Sequence, residues 1–442
     1  MILQFSVSNF RCFRKLQTLN FAASSYDKSL PENCVETNLP GLAGKRWVKG
    51  IVLYGANASG KTTVLTALSA LTNLVTNSAK TTDPKEPINS IEPFAICEKG
   101  PQTPTGFAIS FVTEGTRYEY RVAATREQIW HESLRAFPNK VEQLWFSRDW
   151  DASAGGYKWS PDRPTGFERD SKLESYTLSN VLFLSKGVAS NRSELEPIFR
   201  WFKDQLVFLD LGAESMMSAE FTLEQLAKKT SLSEGIVKLL HHADLGVTAA
   251  RAIERKPPEG FEKFVESLPP EVRERFGKER WIQPELTHRG GAVEIPLPWD
   301  SESAGTKRFF SLAGPWLDIL SNGYTVCIAE LETSMHPLMV RELLRLVFSS
   351  NENTDGAQIL FTTHSPLLLD ATLMRRDQIW FTDKDDNGEA HLYPLTDYSP
   401  REGESLVRGY LAGRYGAVPF VPAGLLGTLG THQAIRSSSP SK

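Results

Sequence analysis

The chain has 442 residues, with 49 basic and 53 acidic side chains for a net charge of −4, and is 40% hydrophobic and 23% charged. This composition excludes a disordered chain, a collagen-like repeat and a coiled-coil rod, and leaves room for roughly three domain-sized units. The near-even charge balance argues against a nucleic-acid-binding field over the whole surface, while a local basic groove stays open.

The opening segment, residues 1–13, has no basic stretch followed by an apolar run, so no signal peptide is expected. No apolar run approaches the roughly 18 residues that suggest a membrane span. The four cysteines (Cys12, Cys34, Cys97 and Cys327) form no C-x-x-C pair, so they read as lone buried thiols in a reducing cytoplasm. No internal repeat is present.

The apolar run 48–54 predicts a buried strand. A Gly/Ala/Ser turn follows, then a helix with Val64, Leu65, Leu68, Leu71 and Leu74 on one face. Phe107, Ile109 and Phe111 alternate on one strand, and Tyr118, Tyr120 and Val122 on the next, with a turn at 113–116. Residues 135–180 read as strands with long loops. From Ser193 to about Gly277 the pattern is helical, broken by prolines at 257–258 and 269–270. Strand text returns at 281–297, followed by a helix near 307–321. Buried strands at 324–329 and 357–362 flank a helix at 337–349 that starts with Pro337. The Ser-rich end is expected to fray.

Gly55-Ala56-Asn57-Ala58-Ser59-Gly60-Lys61-Thr62 matches the phosphate-binding pattern G-x-x-x-x-G-K-[ST], with a buried strand before it and an amphipathic helix after it. The glycines let the backbone wrap the phosphates, and the amides of Asn57, Ser59, Gly60 and Thr63 lie along or just after the loop, where the helix N-terminus adds positive potential. Lys61 would reach the β- and γ-phosphates, and the Thr62 hydroxyl would ligate Mg2+ of bound ATP. The strand 325–330 ends in Glu330, placed to orient or deprotonate the attacking water. The 357–364 strand ends in Thr362-Thr363-His364, a polar tip able to reach a γ-phosphate. Between these, Ser303 and Gly305 open a helix, as a second anion site or as a simple N-cap.

In this order the motifs resemble ABC-class ATPases of the SMC, RecF and OLD type, and Val7-Ser8-Asn9-Phe10-Arg11 looks like the N-F-R strand of that clade. More narrowly, Glu302 to Arg308, Glu330 to Pro337 and Tyr410 to Pro419 resemble the Abi/Rlo-type ATPases of bacterial phage-defence operons. The resemblance implies an α/β P-loop fold of ABC-ATPase type with an antiparallel lobe and a helical insertion. It implies a homodimer or larger even oligomer of ATPase heads, each ATP lying on one P-loop and under Ser303 and Gly305 of the other head. It assigns Glu330 as catalytic base, His364 as switch residue, residues 333–336 as an interface loop, and Arg11 as a residue near the nucleotide. The family's Asp before the catalytic Glu is replaced here by Ala329, which points to a slow ATPase that lives long in its ATP-bound state.

The expected organisation is an N-terminal ATPase lobe at 1–192, a helical insertion at 193–280, a C-terminal ATPase lobe at 281–400 and a tail at 401–442. The insertion reads either as a contact for partner protein or DNA, or as a layer covering the sheet. Without sustained heptads no long coiled coil is expected. OLD-type proteins carry a nuclease after the ATPase, and the residues beyond His364 are too few for one, so a separately encoded effector, a nuclease, is the expected partner. Asp383 to Gly388 starts like a calcium loop but has Pro394 at the twelfth position, and reads instead as an Asn-Gly hairpin turn. His241-His242 reads as solvated surface. Three functions remain open: a defence ATPase, a RecF-like DNA-repair ATPase, and a nucleotide-locked scaffold.

Overall fold

The computed structural model describes residues 1–37, 39, 41–97, 100–160, 166–209, 211, 217–243, 245–255, 260–268, 273, 282–401 and 403–419. A seven-stranded antiparallel sheet orders its strands Gly156–Ser160, Gln143–Asp151, Ile129–Phe137, Thr116–Ala124, Thr105–Thr113, Ile2–Ser8 and Gln17–Asn20. Alternate side chains point inward, so Ile109 pairs with Tyr120 and Phe111 with Tyr118 on the buried face. Glu114 and Gly115 turn the hairpin with φ of 46° and 69°, the left-handed geometry that matches the twist of the flanking strands.

The second sheet is six-stranded, in the order Leu206–Leu209, Thr325–Ile328, Gln358–Thr362, Gly50–Gly55, Ile379–Lys384 and Ala390–Pro394. All neighbours are parallel except the last pair. Its three central strands are buried at every position, as continuous apolar text requires when both faces are covered. Ile51, Leu53, Cys327 and Leu360 face a core shared with the antiparallel sheet and the P-loop helix Lys61–Asn77. Val52, Tyr54, Val326, Ile359 and Phe361 face a second core under the helices Ala304–Asn322 and Pro337–Phe348. The buried Gln358 amide links the two sheets: its Oε1 accepts from the Ile2 N–H at 2.6 Å, and its Nε2 donates to the carbonyls of Ile2 and Val48. The expected α/β architecture with an antiparallel lobe is therefore present.

The 193–280 segment departs from a purely helical insertion. Leu206–Leu209 is an edge strand of the parallel sheet, and Val247–Glu254 pairs with Ile282–Gly290, which pairs with Val293–Pro298. The Ala-rich text of Val247–Glu254 favours helix locally, and sheet pairing overrides it. The first strand also stops at Ser8, so Asn9, Phe10 and Arg11 form a turn rather than a strand end, with Asn9 and Arg11 at φ 49° and 47°. The Asn9 side chain holds that turn by donating to the carbonyls of Gly100 and Thr103. Of the four free thiols only Cys327 is fully buried.

Residues 410–419 pack onto the core through Tyr410, Tyr415 and Ala417. Phe381 stacks on Tyr410 and Tyr415 at 5.8 and 5.7 Å, and Tyr410 meets Tyr54 edge-on at 5.5 Å. The Tyr410 hydroxyl donates to the Ala417 carbonyl. The Ser-rich end lies outside the described residues, as does most of 255–281. Among the described residues no helix is long and apolar enough to cross a membrane.

Candidate functional site

The parallel sheet brings the motifs to one edge. The strands ending at Gly55, Thr362 and Ile328 are neighbours running the same way, so the P-loop, Thr363-His364 and Ala329-Glu330 emerge side by side from their carboxyl ends. In an open α/β sheet that crevice is where ligands bind.

The loop itself is tightly curled. Ala58 and Gly60 take φ of 60° and 115°. A Cβ at Gly55 would lie 2.3 Å from Ser59 Oγ and 2.5 Å from the Thr382 carbonyl, so only glycine fits there. Ser59 Oγ is pinned to Thr382 Oγ1 at 2.7 Å, and Asn57 is exposed at the crest. The following helix has Gly60 at its N-cap position, no side-chain cap and no acidic residue in its first turn. Its first N–H groups are thus free for an anion, and the helix dipole favours one there. Lys61 is buried; its Nζ donates to the carbonyls of Gly55 and Ala56 at 2.9 and 3.0 Å. Burial lowers its pKa, and the charges of Glu330 and Glu332 oppose that shift. Thr62 is exposed, and Thr63 Oγ1 accepts from the Cys12 thiol at 3.3 Å. Arg11 lies against this helix, one turn along: its guanidinium forms a two-pronged ion pair with Glu92 and reaches Thr66 Oγ1 at 3.4 Å.

Glu330 adopts φ 49°, and its N–H donates to Thr362 Oγ1 at 2.9 Å. This turn presents the half-exposed Glu330 carboxylate to His364, 3.7 Å away at Nε2. Glu332 turns the other way. Its Oε1 accepts from the His364 N–H at 2.6 Å, while its Oε2 is buried and has no hydrogen-bond partner. Glu332 is the site residue that sequence reasoning missed; the visible signal was the second carboxylate of Glu330-Leu331-Glu332, which spacing alone could not aim. Oxygen donors from Thr62, Glu330 and Glu332 suit a hard cation such as Mg2+, and the unpartnered buried oxygen of Glu332 is one the chain itself does not satisfy.

Ser303 caps the Ala304–Asn322 helix, its Oγ accepting from the Thr306 N–H at 3.0 Å. A Cβ on Gly305 would lie 2.9 Å from the Ser334 carbonyl, so the glycine lets this helix end press on the 333–336 loop. Among the described residues no hydrogen bond or ion pair joins Ser303 or Gly305 to residues 55–63. Glu302, beside them, is nearly buried and pairs with His288 of the three-stranded sheet at 2.8 Å.

Two motifs set aside in sequence take the expected structural forms. Asp385, Glu389 and His391 place ligand atoms within 4.8 Å of one another. However, Glu389 is already paired with Arg14, and Asp385 accepts the Asn387 and Glu389 N–H groups of the hairpin turn. His241 and His242 are exposed on the Ser233–His242 helix.

The family model described as "AAA domain, putative AbiEii toxin, Type IV TA system" matches residues 51–370, well over half of the chain and all of the motifs from Gly55 to His364. No curated protein matches. Among solved structures, an Smc head bound to the C-winged helix domain of ScpA is 12% identical, with TM-score 0.40 over 89% of this chain and 97% of that one. An Smc head with an extended coiled coil, bound to the C-terminal domain of ScpA derived from Pyrococcus furiosus, is 11% identical, with TM-score 0.39 over 89% and 96%. The chain belongs to the AbiEii-type AAA-domain family of P-loop ATPases.

Proposed function

We propose that the protein is the ATP-binding and ATP-hydrolysing subunit of a bacterial abortive-infection-type defence system, working in the cytoplasm and controlling a separately encoded effector, a nuclease. The observation that carries the ATPase reading is the uncapped P-loop helix at the same sheet edge as Glu330 and His364. The family's description as a putative toxin supports the defence role.

ATP enters with its phosphates on the P-loop amides. Lys61 exchanges the carbonyls of Gly55 and Ala56 for phosphate oxygens, a stronger partner for an ammonium than a neutral carbonyl. Glu330 accepts the proton of the attacking water, and His364, 3.7 Å away, senses the γ-phosphate. Mg2+, held by the Thr62 hydroxyl and nearby carboxylates, supplies charge neutralisation along the triphosphate. Among the described residues Ser303 and Gly305 have no bond to their own P-loop, which supports their use on the nucleotide of a second copy in a dimer or larger even assembly.

ATP turnover with Mg2+ is compared in the wild type and Lys61→Ala, together with co-purification of the neighbouring gene product. Turnover lost in the variant and a co-purifying partner support the reading. Turnover that survives Lys61→Ala, or a protein that never associates with that partner, overturns the ATPase or the defence part respectively. Ala329 favours a second reading, a nucleotide-locked scaffold, whose signature is tight ATP binding without turnover.

A further inference from the structure

The strand that ends at Ile328 offers Ala329 next, a methyl group with nothing to give a cation. Glu330 is half-exposed and faces His364. Glu332 is different on three independent counts. Its Oε1 is fixed by the His364 N–H, so the carboxylate has one orientation. Its Oε2 is buried and bonded to nothing. Its charge also acts on Lys61 and on Tyr54, the residue before Gly55, and the strand end to which it is tied lies beside the P-loop strand.

A buried carboxylate oxygen without a partner is destabilising, and such groups persist where function uses them. Lys61 is a cation on which the Glu332 charge acts. Its swing toward phosphate takes that positive charge away from Glu332 when the triphosphate arrives. A second cation entering with the nucleotide restores the balance.

We propose that Glu332, through its free Oε2, is the carboxylate that holds hydrated Mg2+ in the nucleotide site, a role distinct from that of Glu330 and left to it by Ala329. Glu332 acts on the cation and its water shell, not on the attacking water. The proposal rests on the ATP-binding reading above.

The test is Mg2+ titration of ATP binding by the full chain, read by calorimetry or a fluorescent ATP analogue, with a parallel measurement in EDTA. Glu332→Gln keeps an oxygen to accept the His364 N–H and removes only the charge. Its Mg2+ midpoint is expected to rise by about tenfold or more, the usual loss when support for a bound metal is removed. Its ATP affinity in EDTA is expected to be unchanged or tighter. Ala329→Asp in the Glu332→Gln background is expected to bring the midpoint back toward the wild type. A Glu332→Gln midpoint within about twofold of the wild type overturns the proposal; so does an equal weakening with and without Mg2+, which marks a purely structural residue. If Glu332→Gln does not fold, Glu332→Asp gives the same reading, its shorter carboxylate raising the midpoint while sparing affinity in EDTA. A wild type that binds no ATP overturns the ATPase reading instead.

Discussion

Two helix N-termini in this molecule treat an anion in opposite ways. The Lys61–Asn77 helix starts from Gly60 without a side-chain cap, leaving its first amides free. The Ala304–Asn322 helix starts from Ser303, whose hydroxyl already takes the Thr306 N–H. The first end is ready for phosphate in a single chain, since its amides carry no side-chain cap to displace. The second is closed on itself and packed on the Ser334 carbonyl, and among the described residues it makes no bond to its own P-loop. The difference teaches that the two helix ends are built for different contacts, and under the proposed function the second acts on the nucleotide of another copy.

The sharpest way to probe this comparison is Glu330→Gln. Removing the proposed general base is expected to lower turnover by about 10²- to 10⁴-fold and to leave ATP binding intact, so that ATP-dependent self-association persists and is seen by light scattering. Lys61→Ala hits only the first helix end. It weakens ATP binding by about a hundredfold, the loss of charge-assisted hydrogen bonds worth roughly 3 kcal/mol; binding that survives, measured calorimetrically, breaks the comparison. Gly305→Ala hits only the second end. Its Cβ displaces the Ser334 loop, so turnover falls by about ten- to a hundredfold while the ATP affinity of the isolated chain is unchanged; an equal fall in affinity places Gly305 at its own nucleotide. Ala329→Asp raises turnover by about tenfold, and equal rates in a steady-state assay remove the idea that Ala329 slows the enzyme. Ser303→Ala is the mildest: the lost cap lowers stability by about 1 kcal/mol, read as a shift of a few degrees in thermal denaturation.

The parts of the site that could be read from sequence are those encoded contiguously. Gly55 to Thr62 carries its own strand, loop and helix, and Glu330 and His364 each end an apolar run that can only be a buried strand. The Thr105–Thr113 and Thr116–Ala124 hairpin was equally plain, because its alternation and its turn agree. What stayed hidden depends on partners far away in the chain. Leu206–Leu209 is four apolar residues that become a strand only beside Thr325–Ile328. Val247–Glu254 reads as helix until Ile282–Gly290 pairs with it. Glu332 could not be aimed because left-handed backbone at Glu330 and Ser334, not spacing, decides which carboxylate turns inward. Arg11 was placed near the nucleotide, but its tie to Glu92 is a bond across 81 positions that no local pattern announces.

The arrangement of the parallel sheet also bears on the order in which the protein is made. The P-loop strand Gly50–Gly55 lies between Gln358–Thr362 and Ile379–Lys384, and Tyr54 rests against Tyr410. The loop sequence therefore leaves the ribosome well before the strands beside it and the aromatic prop behind it. Domains fold as their chain becomes available, so a nascent or truncated chain lacks the walls that shape its nucleotide site. Formation of the site therefore waits for the segment that carries Tyr410 to emerge.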